Sequence, residues 1–445
     1  QVNPQVNAIV SLEPEARLLA QADSCDALLA KGQWPGWMHG MPQAPKDLAP
    51  TRGIPTTWGS PIFAGFVPEQ DAACVERVRA AGAILIGKTN TPEFGLGSQT
   101  FNPVFGATRN AWDRSKTAGG SSGGAAVALA TRMLPVADGS DMMGSLRNPA
   151  AFNNVYGFRP SSGRVPNTQG PDAFSQQLAT DGPMGRTVAD VARLLATQAG
   201  YDVRAPLSLD SDPAVFAEPL EREWRGTRIG WLGDLGGYLP FQDGVLALCR
   251  EALTAFETVG CTVEEARIDF PPARMWETWL TWRRFLVSGA LAVHYDDPQR
   301  RALLKPEAIW EIEQGMRTSA PEVWRASVAR TALYRAVLQA FERFDFLVLP
   351  SAQVFPFDVE KRWPEAIEGR EMDTYHRWME VVILPTLTGC PALSVPAGFG
   401  SSGASRGLPM GIQIIGRPRD DRSVLQLGHA WEQATPWGAA RPHDG

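Results

Sequence analysis

Residues 116–150 read KTAGGSSGGAAVALATRMLPVADGSDMMGSLRNPA, and the rest of the chain is organised around them. Two turns rich in glycine and serine, Gly119-Gly120-Ser121-Ser122-Gly123-Gly124 and Gly139-Ser140-Asp141-Met142-Met143-Gly144-Ser145, flank a segment of small apolar residues. Glycine opens backbone angles closed to other residues and lets a ligand come close to the main chain. One such turn is usually only a loop. Two of them, each presenting serines, point to a hydroxyl nucleophile set among backbone N–H groups. Ser122-Gly123 opens a helix that runs to Thr131, and Met133 to Ala137 reads as a buried strand leading into the second turn.

Working outward, residues 13–30 place Leu18, Leu19, Ala22, Ala27 and Leu28 at helical spacing, with Gly32 just beyond. A second helix, capped by Asp71, runs to Ala81 and stops at Gly82. Ala83-Ile84-Leu85-Ile86 follows as a short buried strand. Downstream, a helix from Val188 to Thr197, a strand Arg228–Trp231, a helix Val245 to Val259 and a strand Cys261 to Ile268 give an α/β alternation. From Pro271 to Phe346 the pattern changes to long helices dense in aromatics, including Trp276, Trp279 and Trp282. A strand at Phe346–Leu349, a helix from Thr374 to Leu384, strands at Leu393–Val395 and Met410–Ile415 and a helix from Ser423 to Gln433 complete the chain. The layout is one α/β core with a mostly helical section inserted into it or packed on it.

Composition narrows the function classes. The 445 residues carry a net charge of −6 and no basic run, which argues against nucleic acid as a partner. The apolar run Ala125–Ala130 is far short of the ~20 residues a membrane-spanning helix needs, so no membrane partner is expected. No basic segment followed by an apolar one opens the chain, and a cytoplasmic location is the expectation. The chain starts at Gln1, which leaves open whether residues precede it. Five scattered cysteines with no CxxC pair suit a reducing compartment and offer neither a disulfide framework nor a zinc site. The histidines (His39, His294, His376, His429, His443) lack metal-ligand spacing, so no metal and no other cofactor is expected.

Two motifs mislead. Gly82 to Thr89, GAILIGKT, fits the phosphate-loop pattern GxxxxGK[ST]. That pattern works only as a loop followed by a helix, whereas here four apolar residues precede the lysine and Asn90-Thr91-Pro92 follows it. Gly120-Ser121-Ser122-Gly123-Gly124 fits GxSxG, the nucleophile elbow of α/β-hydrolases, with Ser122 at its centre. The elbow needs a strand directly before it, and residues 110–116 are polar and loop-like.

A third set of motifs agrees with itself along most of the chain. Gly40-Met41-Pro42-Gln43-Ala44-Pro45-Lys46-Asp47 is a proline-stiffened segment ending in a lysine. It is followed by the Gly-Gly-Ser-Ser-Gly-Gly turn and by Asp141-Met-Met-Gly-Ser-Leu-Arg-Asn-Pro-Ala. Together with PTTWGS (55–60), GKTNTPEFGLGS (87–98), NPVFGATRNAWD (102–113), GFRPSSGRV (157–165), TDGPMGRTVADVA (180–192), LTGCPALSVPAGF (387–399) and LPMGIQIIG (408–416), this series resembles the amidase signature family of serine hydrolases. Only about 205–345 falls outside the resemblance, the part that varies within the family.

The resemblance implies a single amidase-signature fold over 1–445: a central mixed, twisted β-sheet covered by helices on both faces. Its core is about 1–204 and 346–445, and its variable, mostly helical selectivity section is about 205–345. It also implies a Ser–cis-Ser–Lys triad, with Ser145 as nucleophile, Ser121 as the bridging serine after a cis Gly120-Ser121 peptide, and Lys46 as base. Lys88, in GKTN, is the tempting wrong lysine. A lysine can act as base only when neutral, so burial must lower its pKa from about 10.4 towards working pH. The oxyanion hole is expected from backbone N–H groups of Met142, Met143, Gly144 and Ser145. Here the chain departs from the usual Asp-Thr-Gly-Gly-Ser, since Met142 and Met143 replace Thr and Gly. A Gly-like angle at Met143 implies strain; otherwise the loop is shaped differently. Arg147 is read as ordering the loop, and Asp47 and Asp141 as local anchors.

Gly120, Trp276 and Trp279 are the candidate substrate-binding residues. The tryptophans at spacing three share a helix face and line either the core or an aromatic pocket. The expected reaction is hydrolysis of hydrophobic or aryl amides, with esters and carbamates (urethanes) open to the same chemistry. The expected partner is a small-molecule amide; a homodimer stays open. The alternatives are an amidotransferase subunit hydrolysing glutamine for a partner protein and, more remotely, an α/β-hydrolase using Ser122 or a silent scaffold.

Overall fold

The computed structural model describes residues 2–175 and 177–442, so His443 lies outside it. Eight strands make one sheet: β1 Val136–Asp141, β2 Tyr156–Arg159, β3 Thr180–Gly185, β4 Arg228–Trp231, β5 Thr262–Glu265, β6 Phe346–Pro350, β7 Ala392–Phe399 and β8 Pro409–Ile415. Their order across it is β5-β4-β6-β8-β7-β2-β3-β1. β4 is parallel to β5 and β6, and the other neighbouring pairs are antiparallel. The central strands are buried on both faces, which is why β6 reads as a continuous apolar run, FLVLP, rather than an alternation.

The helices include α1 Glu15–Leu29, α2 Ala73–Ala80, α3 Gly123–Ala130, α4 Arg147–Asn153, α5 Val188–Gln198, α6 Pro272–Tyr295, α7 Pro306–Met316, α8 Ala320–Arg343 and α9 Asp421–Ala434. Successive residues of β7 face opposite layers. A Cβ on Gly428 of α9 would stand 2.2 Å from Leu393 Cδ2, and one on Gly411 of β8 would stand 3.1 Å from Ser394 Oγ and 3.0 Å from Ala151 of α4. Helices therefore cover both faces.

Some expected elements differ. Asp71 does not cap α2: the cap position is Ala72, and the Asp71 carboxylate instead accepts from the Arg52 N–H and the Arg79 guanidinium. The helical spacing in α1 buries none of its residues, and Leu19 and Leu29 are more than half exposed. The helix expected over 245–259 is two, Val245–Ala252 and Thr254–Thr258. The one expected over 374–384 starts as a 3-10 turn, Arg377–Val382, and continues as Ile383–Thr388. Strands β2 and β3, rich in glycine, charge and proline, have no strand-like pattern, yet they connect β7 to β1. All five cysteines are free. Among the described residues no helix is long and apolar enough to cross a membrane.

Candidate active site

Lys46 sits in an extended stretch bridged to Thr89, and its backbone N–H donates to Asp138 Oδ2 at 3.1 Å. The side chain is 1% exposed, and its ammonium nitrogen reaches three hydroxyls: Ser121 Oγ at 2.7 Å, Ser122 Oγ at 2.9 Å and Ser140 Oγ at 3.0 Å. An ammonium has three donors, so this cradle uses all of them without an ion pair. Burial pulls the Lys46 pKa down from 10.5 to about 7, while the charges of Asp181, Asp141 and Asp138 partly restore it. Asp181 faces the reverse pressure: burial and then Asp138 lift its carboxyl to about 7, against the pull of Lys46. Burial likewise raises Asp138.

The peptide between Gly120 and Ser121 is cis. The backbone N–H of Ser122 donates to the carbonyl of Ser145 at 3.2 Å, which ties the first glycine turn to the second. Ser121 and Ser145 line one cavity of about 200 Å³, whose remaining walls are largely apolar: Leu48, Phe94, Leu96, Met142, Met143, Leu286, Val287, Leu291 and Met379, with Arg283 among them. A second cavity, of about 390 Å³, shares Leu48, Phe94, Ser140, Ala179, Ala290 and Leu291 with the first. It is lined further by Lys46, Asp138, Asp181 and an aromatic group of Trp58, Phe63 and His294. Phe63 meets the rings of Trp58 and His294 edge-on, with centroids 4.7 and 5.3 Å away.

The second turn is held by Asp141, at the end of β1. Its carboxylate accepts from the N–H groups of Gly144 (2.9 Å) and Leu146 (3.2 Å), from both edges of the Arg147 guanidinium (2.9 Å each) and from Arg159 (3.2 Å). Burial pushes this carboxyl up, but Arg147 and Arg159 override it and hold it well below the usual carboxylate range. Arg147 also donates to the Val382 carbonyl and to Gln413 and Thr386, so it braces the turn from beneath. Asp47 is an anchor of the same type, accepting from the Thr57 N–H and hydroxyl.

The left-handed backbone in this turn falls on Gly144, at φ +75°, and neither methionine adopts it. Met143 therefore needs no glycine-like angle and packs at 3% exposure. The Gly144 N–H, expected to serve an oxyanion, is instead committed to Asp141. Among the described residues the N–H groups of Met142, Met143 and Ser145 have no such partner.

Three residues expected to touch substrate lie away from these two cavities. Gly120 lines neither cavity, and its carbonyl accepts from the Ser98 hydroxyl. Trp276 and Trp279 are buried in the main core, at 3% and 0% exposure, and line neither cavity. The reason is the length of α6. Its N-terminal turns (Met275, Trp276, Trp279) belong to the core, whereas the same stripe further along (Arg283, Leu286, Val287, Ala290, Leu291) walls the cavity, with Leu286 still part of that core and Val287 and Leu291 part of a smaller hydrophobic cluster. The spacing was sound, but the cavity begins one turn later.

Lys88 is fully buried and donates to the Ala49 carbonyl and Thr51 hydroxyl, and the next helical element is only a 3-10 turn, Glu93–Gly95, so the phosphate-loop match has no phosphate-binding geometry. Ser122 precedes α3, but the residues before it form no strand, and among the described residues no histidine is hydrogen-bonded to it. Among the described residues no cluster of His, Cys, Asp and Glu could hold a metal. Sequence reasoning missed Ser140, Asp138, Asp181 and Arg283; of these only Arg283, four residues past Trp279, carried a periodic signal.

The family model for Amidase matches residues 1–425. The chain is 35% identical to a glutamyl-tRNA(Gln) amidotransferase subunit of Chloroflexus aggregans, covering 99% of this chain and 91% of that protein. It is 34% identical to an acylamidase of Rhodococcus erythropolis, over 100% and 91%. Among solved structures it resembles a bacterial aryl acylamidase of the amidase signature family, with a TM-score of 0.90, 30% identity and coverage of 99% and 93%. With the matching fold and the family model spanning nearly all of it, this chain belongs to the amidase signature family.

Proposed function

We propose that this protein is a free-standing amidase that hydrolyses the C–N bond of hydrophobic or aryl amides through an acyl-enzyme on Ser145, and that carbamates, including urethanes, and esters enter by the same chemistry. The observation that carries this reading is the 2.7 Å contact between Lys46 Nζ and Ser121 Oγ in a buried cradle, with Ser121 and Ser145 on one apolar cavity. A serine hydroxyl is a weak nucleophile and needs a base within hydrogen-bond reach. Lys46, held near neutrality by burial, takes the Ser121 proton as Ser121 takes that of Ser145. Ser145 then attacks the amide carbon. The oxyanion is received by the N–H groups of Met142, Met143 and Ser145, each such donor being worth about 3–4 kcal/mol in the barrier. The proton returns through Ser121 to the leaving nitrogen, and water releases the acyl group by the same route.

The helical section between 205 and 345 supplies selectivity through the C-terminal half of α6. The five free cysteines suit a cytoplasmic setting. A second reading, an amidotransferase subunit that hydrolyses glutamine, is favoured by the 35% identity to the Chloroflexus protein. The test is a panel of aryl amides, aliphatic amides, carbamates, esters and glutamine, given to the purified chain without partner or ATP. Release of aryl amines, abolished by Ser145→Ala and Lys46→Ala, is expected. Activity confined to glutamine overturns the choice.

A further inference from the structure

Arg283 is 4% exposed and lines the cavity that holds Ser145. Its charge is already matched. Nε pairs with Glu311, which is fully buried, and Nη2 donates to Tyr375 Oη at 2.6 Å, whose own proton goes to Glu311 Oε1 at 2.7 Å. The ring of Trp279 lies 5.8 Å from the guanidinium carbon and fixes it from the core side. Among the described residues the remaining nitrogen, Nη1, has only the Met142 Sδ, at 3.6 Å. A thioether is a weak acceptor, so a strong donor on a rigid mount meets the cavity with a soft partner. Buried donors of this strength are ordinarily paired well.

We propose, building on the amidase reading, that Arg283 determines specificity. The preferred substrate carries an uncharged hydrogen-bond acceptor (a carbonyl, ether, sulfonyl or nitro oxygen) on the part of the amide held against Met142, and this oxygen takes over Nη1 from the sulfur. The acceptor is uncharged because Glu311 has already neutralised Arg283. A carboxylate would enter an apolar cavity with no net cation to meet it, which is strongly unfavourable. A plain hydrocarbon in the same place leaves Nη1 on its sulfur and gains nothing from it.

Two matched series test this. One keeps 4-nitroaniline as leaving group and varies the acyl part as 4-oxopentanoyl, 4-methylpentanoyl and succinyl. The other is acetanilides with acetyl, isopropyl or carboxylate at the 3-position. In at least one series the ketone-to-hydrocarbon ratio of kcat/KM in wild type should fall by about tenfold or more in the variants, with the carboxylate poorest in wild type. Comparing ratios between variants cancels intrinsic leaving-group differences. Arg283→Leu alone strands Glu311 without its partner, so the double variant Arg283→Leu/Glu311→Met, which removes both charges, is measured beside it. Ratios within twofold of wild type in both series, or a wild-type preference for the carboxylate, overturn the proposal. Dissociation constants of the same pairs on Ser145→Ala, with and without the Arg283 change, separate the two readings. An Arg283-dependent Kd ratio in a protein that hydrolyses no amide sinks the amidase function and keeps the Arg283 assignment. Turnover with Arg283-independent ratios does the opposite.

Discussion

If Lys46 is the base, acidity should switch the enzyme off at a pH set by its burial. The free side chain titrates at 10.5, and in the folded protein at about 7. That difference corresponds to about 5 kcal/mol of bias against the buried ammonium. With one neutral lysine required, kcat/KM should be flat above pH 7 and fall by about tenfold per pH unit below it. The assay is initial-rate release of 4-nitroaniline from pH 5 to 9 at constant ionic strength. The Asp181 carboxyl also titrates near 7 and raises the Lys46 pKa, so the observed limb belongs to the coupled pair. Asp181→Asn removes that charge and should move the limb to lower pH. Stability responds over a different window. Between pH 7 and 10.5 the unfolded chain binds a proton at this lysine that the folded one refuses. The Lys46 contribution therefore rises with pH across that window, falls again as pH drops from 10.5 to 7, and is gone below 7, where both states hold the proton. An acid limb absent down to pH 5, or one centred above 9, refutes the assignment of Lys46 as base. So does a limb that ignores Asp181→Asn.

Other consequences are equally checkable. Ser145→Ala, Ser121→Ala and Lys46→Ala should each reduce kcat by at least about a hundredfold, whereas Ser122→Ala and Lys88→Ala remain measurably active in the anilide assay. Gly144→Ala forces a side chain into φ +75°, with its Cβ 2.8–3.0 Å from Val382. Loss of about 1–3 kcal/mol in denaturant melts, together with a fall in kcat, is expected. Asp141→Asn removes the carboxylate from between Arg147 and Arg159 and should cost about 3–5 kcal/mol at pH 7. Because the folded Asp141 pKa is depressed, the wild-type advantage should persist at pH 5 and vanish only in strong acid, as read from melting temperature.

What was legible in the sequence divides along physical lines. Local chemistry was readable: the two glycine turns, the helix after Ser122 and the apolar runs of β6, β7 and β8 announce themselves in consecutive residues. The lysine was found through the resemblance alone, since nothing in Pro-Lys-Asp says that its ammonium lies 2.7 Å from Ser121. Strands β2 and β3 escaped because pairing between neighbours, rather than their own alternation, makes Tyr-Gly-Phe-Arg and Thr-Asp-Gly-Pro-Met-Gly into strands. Asp138 and Asp181 escaped for the same reason: β1 and β3 bring them near Lys46 only once the sheet exists. The tryptophans of α6 were placed on the correct stripe and at the wrong depth, because periodicity fixes a face but not where along a helix a cavity opens.

That helix has a bearing on how the protein could be altered. Its stripe changes role midway, from Trp276 and Trp279 in the core to Val287, Ala290 and Leu291 on the cavity wall. Trp276 and Trp279 pack only in the core, whereas in the second half Leu286, Val287 and Leu291 serve the cavity wall and a buried hydrophobic cluster at once. Drift or laboratory selection that reshapes this wall therefore repacks a cluster with every change, so swaps that conserve volume are the ones it tolerates, while the first half keeps the rod in place.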